Sequence, residues 1–451
     1  MSFLDRRGFR LGFATLVIFT GIAGDFWRNL LTWWGWGVIV ALIVAGSSVI
    51  LVHNRRRFSF TRLPYPLIAF LALCALSIAW SFYRWPSAGG TVSQIVTSAA
   101  AIAIVVTLSW AELLVALGWV FRLILGMSFI FEFIVAAFFR HPIYPVWLVP
   151  DDPAHPAALL YWSRDLLFSA GKIQGIVGNS SLLAMAALLG LIVFVIQSLT
   201  RSVGRFWGLV WILVAVITIA LTKSATIFVA LAAVIVVAAA AMLVQHASRP
   251  RARAAAYVGI VVAVVGLAAL ALTLHGPLLK LLGKSPELTG RTHIWDRVIF
   301  FAEQRPAFGW GWISYWLPNI APFNHLARAG GVQVLHAHDA WLDVWLQLGI
   351  VGLVVFAALA LSTLVRSWLL ATDRTITNPN TQGTYTVLAM LPLLMFTAQL
   401  IQSIAESRML IEGGWMLLII WAVKTKWHNS VEAPPSVRSR LPEAERARIP
   451  V

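Results

Sequence analysis

The stretch "VLHAHDAWLDVWLQLG", residues 334–349, places three side chains that can exchange or hold a proton directly before a long apolar run. They are His336, His338 and Asp339. A neutral imidazole accepts a proton near neutral pH, so either histidine could serve as a general base. An ionisable side chain at the edge of the membrane's hydrocarbon core costs free energy. The presence of such residues therefore favours a functional role for them. Asp339 could orient an imidazole or cap the following helix, and the residue types leave both alternatives open.

A second stretch with chemical potential is "SPELTGRTHIWDRVIFFAEQRPAFGWGW", residues 285–312. Thr289 is a suitable N-cap, and apolar residues follow at helical spacing until Pro306, which predicts a short helix at the membrane surface. Arg291 then lies at the start of this helix. Free backbone N–H groups and the helix dipole favour an anion there, and a guanidinium adds paired donors for phosphate. An arginine that snorkels from an interfacial helix is the alternative interpretation.

Trp310 and Trp312 alternate with two glycines in "FGWGW" after Pro306. Indole rings suit stacking on a sugar, but they also form the aromatic belt at a membrane surface. We keep both readings of these two residues, as a candidate sugar-binding or acceptor-binding surface and as belt residues.

The elements that position these residues are membrane spans. The chain has 451 residues, is 60% hydrophobic and only 12% charged, and contains 22 tryptophans, which is too apolar for a soluble protein. Apolar runs predict an all-α, polytopic membrane bundle of about 12 transmembrane helices. The predicted spans are 11–25, 36–52, 66–82, 94–109, 113–138, 181–199, 207–222, 225–245, 255–274, 341–364, 385–402 and 409–423.

The placement of the basic residues predicts the orientation of the bundle. The formal net charge is +16, but the basic clusters flank spans on one side, as the positive-inside rule requires if both termini are cytoplasmic. Nucleic acid is therefore not the expected partner. The predicted bundle covers residues 1–424, and the charged, Pro-rich segment 425–451 is predicted to be a disordered cytoplasmic tail. Cys74 is the only cysteine, which excludes disulfides and thiolate metal sites.

Two long segments, 140–180 and 275–340, fall on the outer side and hold most of the candidate residues. Topology does not explain the cations on that side. Those nearest to the predicted chemistry, besides Arg291, are Lys172, Lys223 and Arg408.

Three motifs occur in order between these spans: "LTGRTHIW", "RPAFGWGW" and "HAHDAWLDVWLQLGIVG". Together they resemble the conserved loop of the O-antigen ligase and polymerase superfamily of bacterial membrane glycosyltransferases. "IQGIVGNSSLLAMA" upstream and "SIAESRML" downstream look like further motifs of that family. The resemblance covers about 150 residues in patches between 170 and 415, and the first five spans match only in hydropathy.

The resemblance implies a GT-C-like helical fold at the cytoplasmic membrane that uses no metal or other cofactor. It implies transfer of a glycan from an undecaprenyl-diphosphate carrier to an acceptor hydroxyl on a glycan or lipid. Arg291 would hold the diphosphate, and His338, or else His336, would act as the base. Many members carry an arginine in a Ser-Arg pair where this chain reads "LTKSATIF", and Lys223 is the nearest cation.

The chemistry follows from the charges. Breaking the anomeric bond leaves a lipid diphosphate, which needs fixed cations, namely Arg291 helped by Lys172, Lys223 or Arg408. A base on the opposite face of the sugar predicts inversion at the anomeric carbon. The alternative is a transporter or flippase of lipid-linked glycans, which would carry charges deep in several spans. Only Arg122 and Glu132 lie well inside one, and they could mark a kink or a cytoplasmic re-entry. A peptidoglycan polymerase is a third interpretation.

Overall fold

The computed structural model describes residues 3–148, 157, 160–169, 171–247, 249–273, 291–326, 328–329, 332–373 and 385–427. The described residues are predominantly α-helical, which confirms the predicted fold class. A two-residue antiparallel pair joins Arg328–Ala329 (β1) to Val332–Gln333 (β2). The predicted N-cap Thr289 and nearly all of the predicted disordered tail lie outside the described residues, while Trp427 still belongs to the last helix.

The described helices, in chain order, are α1 Arg7–Ile22, α2 Gly24–His53, α3 Tyr65–Ser77, α4 Arg84–Thr107, α5 Trp110–Ile134, α6 Ser180–Leu199, α7 Arg205–Thr222, α8 Ala225–His246, α9 Pro250–Thr273, α10 Arg291–Glu303, α11 Ala340–Thr372, α12 Leu391–Ser403 and α13 Glu412–Trp427. Seven helices of the described ranges are long and apolar enough to cross a membrane, and the segments Tyr65–Ser77 and Val387–Ser403 are shorter apolar helices. The protein is therefore a polytopic helical membrane protein, and the count of about 12 spans stays a prediction.

The fifth predicted span is one uninterrupted helix. Ser109 and Glu112 form a capping box at its start, in which each side chain accepts from the other residue's backbone N–H. The helix α5 runs from Trp110 to Ile134 and ends in a single π-turn, Val135–Phe139. Arg122 and Glu132 therefore mark neither a kink nor a re-entrant turn.

Long-range contacts define the two ends of the bundle. At one end, Arg10 donates to the carbonyl of Thr107 and Lys424 donates to that of Leu108, both at 2.6 Å. The start of α1, the α4–α5 turn and the end of α13 therefore lie together. The other end, called the site end below, holds the starts of α2 and α13, where Arg28 donates to Glu412 at 2.6 Å.

The long helix α11 carries a break that positions the segment containing Trp310. Gly349 has φ 68° and ψ −168°, a conformation that glycine tolerates and other residues rarely adopt. At this break, Ile350 donates its backbone N–H to the carbonyl of Pro306, and Trp310 donates to that of Leu346. The segment after α10 is therefore hydrogen-bonded to α11 on both sides of the break.

Candidate active site

The two histidines of the "HAH" motif form a tight turn directly before α11. His338 has φ 53°, in the left-handed region that a residue other than glycine seldom occupies. Its backbone N–H donates to Nδ1 of His336 at 3.1 Å, and the two imidazole ring centres lie 4.0 Å apart. Such strain persists only where the surroundings hold it, and it is concentrated at functional sites.

Buried polar contacts hold this turn. Asp343, in the first turn of α11, accepts from the backbone N–H of Ala337 at 3.0 Å and from the indole of Trp316 at 2.8 Å. On the other side, the indole of Trp295 in α10 donates to the carbonyl of Ala337 at 3.1 Å. The turn is thus fixed between α10 and α11, so that α10 presents its first residue, Arg291, to the histidines.

Glu406 is the residue that links Arg291 to His338. It lies between α12 and the short 3-10 helix Ser407–Leu410, and it is buried. Its Oε2 lies 3.0 Å from Nδ1 of His338, and its Oε1 accepts from the guanidinium of Arg291 at 2.7 Å. Arg291 also donates to the carbonyl of Ala405 at 2.6 Å. We call Arg291, His336, His338 and Glu406 the outer cluster, after the predicted orientation of the bundle.

The electrostatics of the outer cluster favour an ionised Glu406 and a neutral His336. Burial raises the pKa of Glu406, but the hydrogen bond with His338, the electrostatic interaction with His338 and the charge of Arg291 outweigh burial and lower this pKa to about 2. Burial, assisted by the neighbouring His338, lowers the pKa of His336 well below its usual value. Because Nδ1 of His336 accepts a backbone hydrogen bond, its proton belongs on Nε2.

The tautomer of His338 follows from the same logic. A carboxylate only accepts, so Nδ1 of His338 carries the hydrogen that faces Glu406, and Nε2 has the lone pair. A carboxylate that fixes an imidazole in this tautomer is the arrangement by which a histidine becomes an effective base. This contact leaves Nε2 of His338 available to accept a proton.

A second ionic network lies at the same end of the bundle. Arg28 donates to Asp25 and to Glu412 at 2.6 Å each, and Arg408 donates to Glu412 at 3.2 Å. Arg408 also lies 3.8 Å from Asp25. We call these four residues the Arg28 network. It adjoins the outer cluster through Tyr315, whose ring centre is 5.9 Å from that of His336. Burial raises the pKa of Tyr315, while the nearby charges of Arg408 and Arg28 oppose this rise.

Comparison with known proteins agrees with this geometry. A family model described as O-antigen ligase matches residues 210–357, a range that contains Arg291, His336 and His338. This part of the chain is similar to the O-antigen ligase family. A relative, the exopolysaccharide production protein ExoQ of Rhizobium meliloti (strain 1021), is 30% identical over 100 residues. That alignment covers 20% of this chain and 22% of ExoQ. The resemblance seen in the motifs is thereby confirmed.

Two of the predicted site residues contribute to helix capping and core packing. Asp339 is the N-cap of α11, accepting from the N–H groups of Trp341 and Leu342 at 2.8 and 2.9 Å, whereas Glu406 is the carboxylate that contacts the imidazole. Trp312 is completely buried, with its ring 5.4 Å from that of Phe70, so it belongs to the core and not to an open sugar-binding surface.

The remaining predicted residues lie outside the outer cluster as defined here. Trp310 is half-buried, and its indole donates to the carbonyl of Phe301 at 2.8 Å. Lys172 is exposed in the loop before α6. Lys223 caps the end of α7 in a left-handed conformation, φ 48°. Arg408 belongs to the Arg28 network.

Three side chains of the outer cluster could also be considered as metal ligands. His336, His338 and Glu406 each offer an atom within 4.8 Å of the others. However, Nδ1 of His336 accepts a backbone hydrogen bond, and the Glu406 carboxylate is shared with the guanidinium of Arg291. A divalent cation would face that fixed positive charge, so the contacts favour a carboxylate–imidazole pair over a metal centre.

Sequence reasoning missed Glu406, Asp343 and Arg28. Glu406 stands in the quoted motif "SIAESRML", and an acidic residue next to a predicted outer cation was the available signal. Asp343 lies one helical turn into the apolar run of α11, where a carboxylate is expensive without donors. For Arg28, the only signal in the sequence was its position between two predicted spans.

Proposed function

We propose that this protein is a metal-independent, inverting glycosyltransferase that acts on a lipid-linked glycan. The donor is a glycan on undecaprenyl diphosphate, and the acceptor is a hydroxyl group of a second glycan or lipid. The observation that carries the proposal is the chain of contacts from Arg291 through Glu406 to His338, within and beside the segment of the O-antigen ligase family.

His338 acts as the base in this proposal. Its Nε2 removes the proton of the acceptor hydroxyl while the oxygen attacks the anomeric carbon from the face opposite the diphosphate. The new glycosidic bond forms as the bond to the lipid diphosphate breaks, which inverts the anomeric configuration. Glu406 keeps the imidazole in position and stabilises the imidazolium that forms.

In this proposal, Arg291 binds both Glu406 and the diphosphate of the donor. Its guanidinium has five N–H donors, and the contacts to Ala405 and Glu406 leave donors that can bind a diphosphate oxygen. Because Glu406 already offsets the charge of Arg291, further cations must offset the charge of the departing diphosphate. Arg408 in the adjoining Arg28 network, together with Lys172 and Lys223, supplies candidates.

The membrane arrangement follows from the same proposal. The site end faces the outer side, with the described parts of segments 140–180 and 275–340, and both termini face the cytoplasm. Trp310, which remains half-buried near α10, is the candidate for stacking on a sugar of donor or acceptor.

The experiment that tests the proposal uses purified protein with a glycan on undecaprenyl diphosphate and a suitable acceptor. We expect lipid diphosphate release coupled to glycan transfer, unchanged by a chelator of divalent cations. A flippase would instead move the intact lipid across vesicles and release no lipid diphosphate. Translocation without release would therefore replace the proposed function by the transporter alternative.

A further inference from the structure

Arg122 is a charged residue inside a membrane helix that the proposed reaction does not use. It lies 12 residues into α5, yet its guanidinium points back toward the end opposite the site end, where it donates to the amide oxygen of Gln197 at 2.6 Å. The same amide donates to the carbonyl of Leu114, in the second turn of α5. The guanidinium therefore lies near the level at which α5 enters the membrane.

No carboxylate of the described residues forms an ion pair with Arg122. Its close neighbours are neutral, and three aromatic rings surround the guanidinium at 5.1 Å for Phe194 and 5.9 Å for Trp119 and Trp211. Of the two acidic residues of α5, Glu112 caps the start of the helix and pairs with Arg10 at 3.0 Å. Glu132 lies about 15 Å along the helix from Arg122 in the other direction. It is occupied by the N–H groups of Gln174 and Gly175. A guanidinium within a membrane helix and without an ion-pair partner is stabilised by binding an anion.

A groove of about 610 Å³ opens beside Arg122, between α5 and α7 and backed by α6. Its polar end holds Arg122, Gln197 and Ser202 at the turn that joins α6 to α7. From there an apolar wall of α5 extends to Ile130, about 12 Å along the helix. Trp207 and Trp211, in the first two turns of α7, border the opening, and indoles at this level mark the headgroup region of a bilayer.

We propose that this groove binds an anionic membrane phospholipid. The phosphate contacts the free donors of Arg122, and one acyl chain lies along the wall from Leu123 to Ile130. The charge of the site selects the ligand, because an unpaired guanidinium favours a headgroup with a net negative charge over a zwitterionic one. The apolar wall adds the chain-binding surface that a soluble anion would not need. This inference does not depend on the proposed glycosyltransferase activity.

Native mass spectrometry of the purified full chain, titrated with phosphatidylglycerol, tests the inference. We expect Arg122→Gln to weaken phosphatidylglycerol binding at least tenfold. Gly126→Leu, which fills the groove beside Trp211 but keeps the arginine, should weaken it similarly. The matched control is Arg366→Gln, since Arg366 is also a half-buried arginine in a span but lies in α11, with contacts to Ser362 and Ala422. This control should bind like the wild type.

Competing lipids complete the test. Phosphatidylcholine should bind at least tenfold more weakly than phosphatidylglycerol to the wild type. Equal binding of the two lipids, or undiminished phosphatidylglycerol binding by a folded, monodisperse Arg122→Gln variant, would overturn the inference. Tighter binding of undecaprenyl phosphate at the same groove would assign it to the carrier lipid and would equally reject the phospholipid assignment.

Discussion

At the scale of single residues, the candidate site is a chain of three side chains in which each fixes the next. Arg291 and His338 bind the two oxygens of one carboxylate, that of Glu406. The pKa of Glu406 is lowered to about 2, so this group stays ionised near neutral pH. A permanent carboxylate gives His338 a constant orientation and a constant tautomer.

Replacing the Glu406 carboxylate by an amide of nearly the same size should slow the proposed reaction. We expect Glu406→Gln to reduce turnover about 100-fold, because the amide cannot accept from both Arg291 and His338. The measurement is the initial rate of lipid diphosphate release. Glu303→Gln, at the exposed end of α10, is the control and should keep the wild-type rate. Equal rates for both variants would show that Glu406 has no part in turnover.

The lowered pKa of Glu406 also predicts how stability depends on pH. Its folded-state pKa, about 2, lies below its usual 4.5, so the contribution is fully present above pH 4.5 and is lost as pH falls through 2. That contribution is on the order of 3 kcal/mol. The melting temperature of wild type should exceed that of Glu406→Gln by a constant margin above pH 4.5, and the margin should shrink below it. A margin already lost at pH 6 would contradict the assigned pKa.

The two histidines should respond differently to substitution. We expect His338→Ala to lose at least 100-fold in turnover and to regain part of it when imidazole is added, because the missing group is a base. His336→Ala should lose less, about tenfold, and should not respond to imidazole, since Nδ1 of His336 supports the backbone of His338. The reverse pattern of rescue would assign the base to His336.

At the scale of elements, the break in α11 positions the segment between α10 and the histidines. A Cβ at Gly349 would collide with the backbone of Ala307, and its φ of 68° is strained for any other residue. We expect Gly349→Ala to destabilise the protein by about 2 kcal/mol or more, seen as a lower melting temperature. Gly259→Ala, in the open part of α9, should be neutral or slightly stabilising. Equal melting temperatures for the two variants would show that the break at Gly349 is not needed to position this segment.

The sequence predicted these elements well where the signal was local. The apolar spacing predicted the helix α10, of which Arg291 is the first described residue, and Asp339 lies at the start of α11, predicted from residue 341. The break at Gly349 could not be predicted, because its cause is hydrogen bonding with residues about forty positions earlier. Glu406 was missed for the same reason, since its partners lie 68 and 115 positions away. Local patterns do not specify such pairs.

At the scale of the whole molecule, composition and hydropathy were sufficient to predict an all-helical membrane bundle. What they could not predict is how the ends assemble. The contacts of Arg28 with Glu412 join residues 384 positions apart, and they bring α2 and α13 to the same end as the outer cluster. The sequence also misplaced Trp312. It was predicted to be a sugar-binding or belt residue at a surface, but the packing of α3 and α11 buries it.

The predicted orientation of the bundle can be measured by cysteine labelling. Because Cys74 is buried, a Cys74→Ala background should fold and remain unlabelled. In that background, Phe168→Cys in the predicted outer segment should react with a membrane-impermeant maleimide in intact cells with a permeabilised outer membrane. Arg201→Cys, at the exposed α6–α7 turn, should react only after the inner membrane is opened. Labelling in the opposite order would invert the topology and place the outer cluster in the cytoplasm.

The most direct test of the central claim compares two pairs of substitutions in one transfer assay. Arg291→Ala and His338→Ala should each reduce glycan transfer from undecaprenyl diphosphate at least 100-fold while membrane insertion is retained. Arg297→Ala and His293→Ala change the same residue types on α10, away from Glu406, and should transfer at the wild-type rate. Wild-type turnover by either of the first two variants would contradict the claim that the Arg291–Glu406–His338 chain performs the reaction.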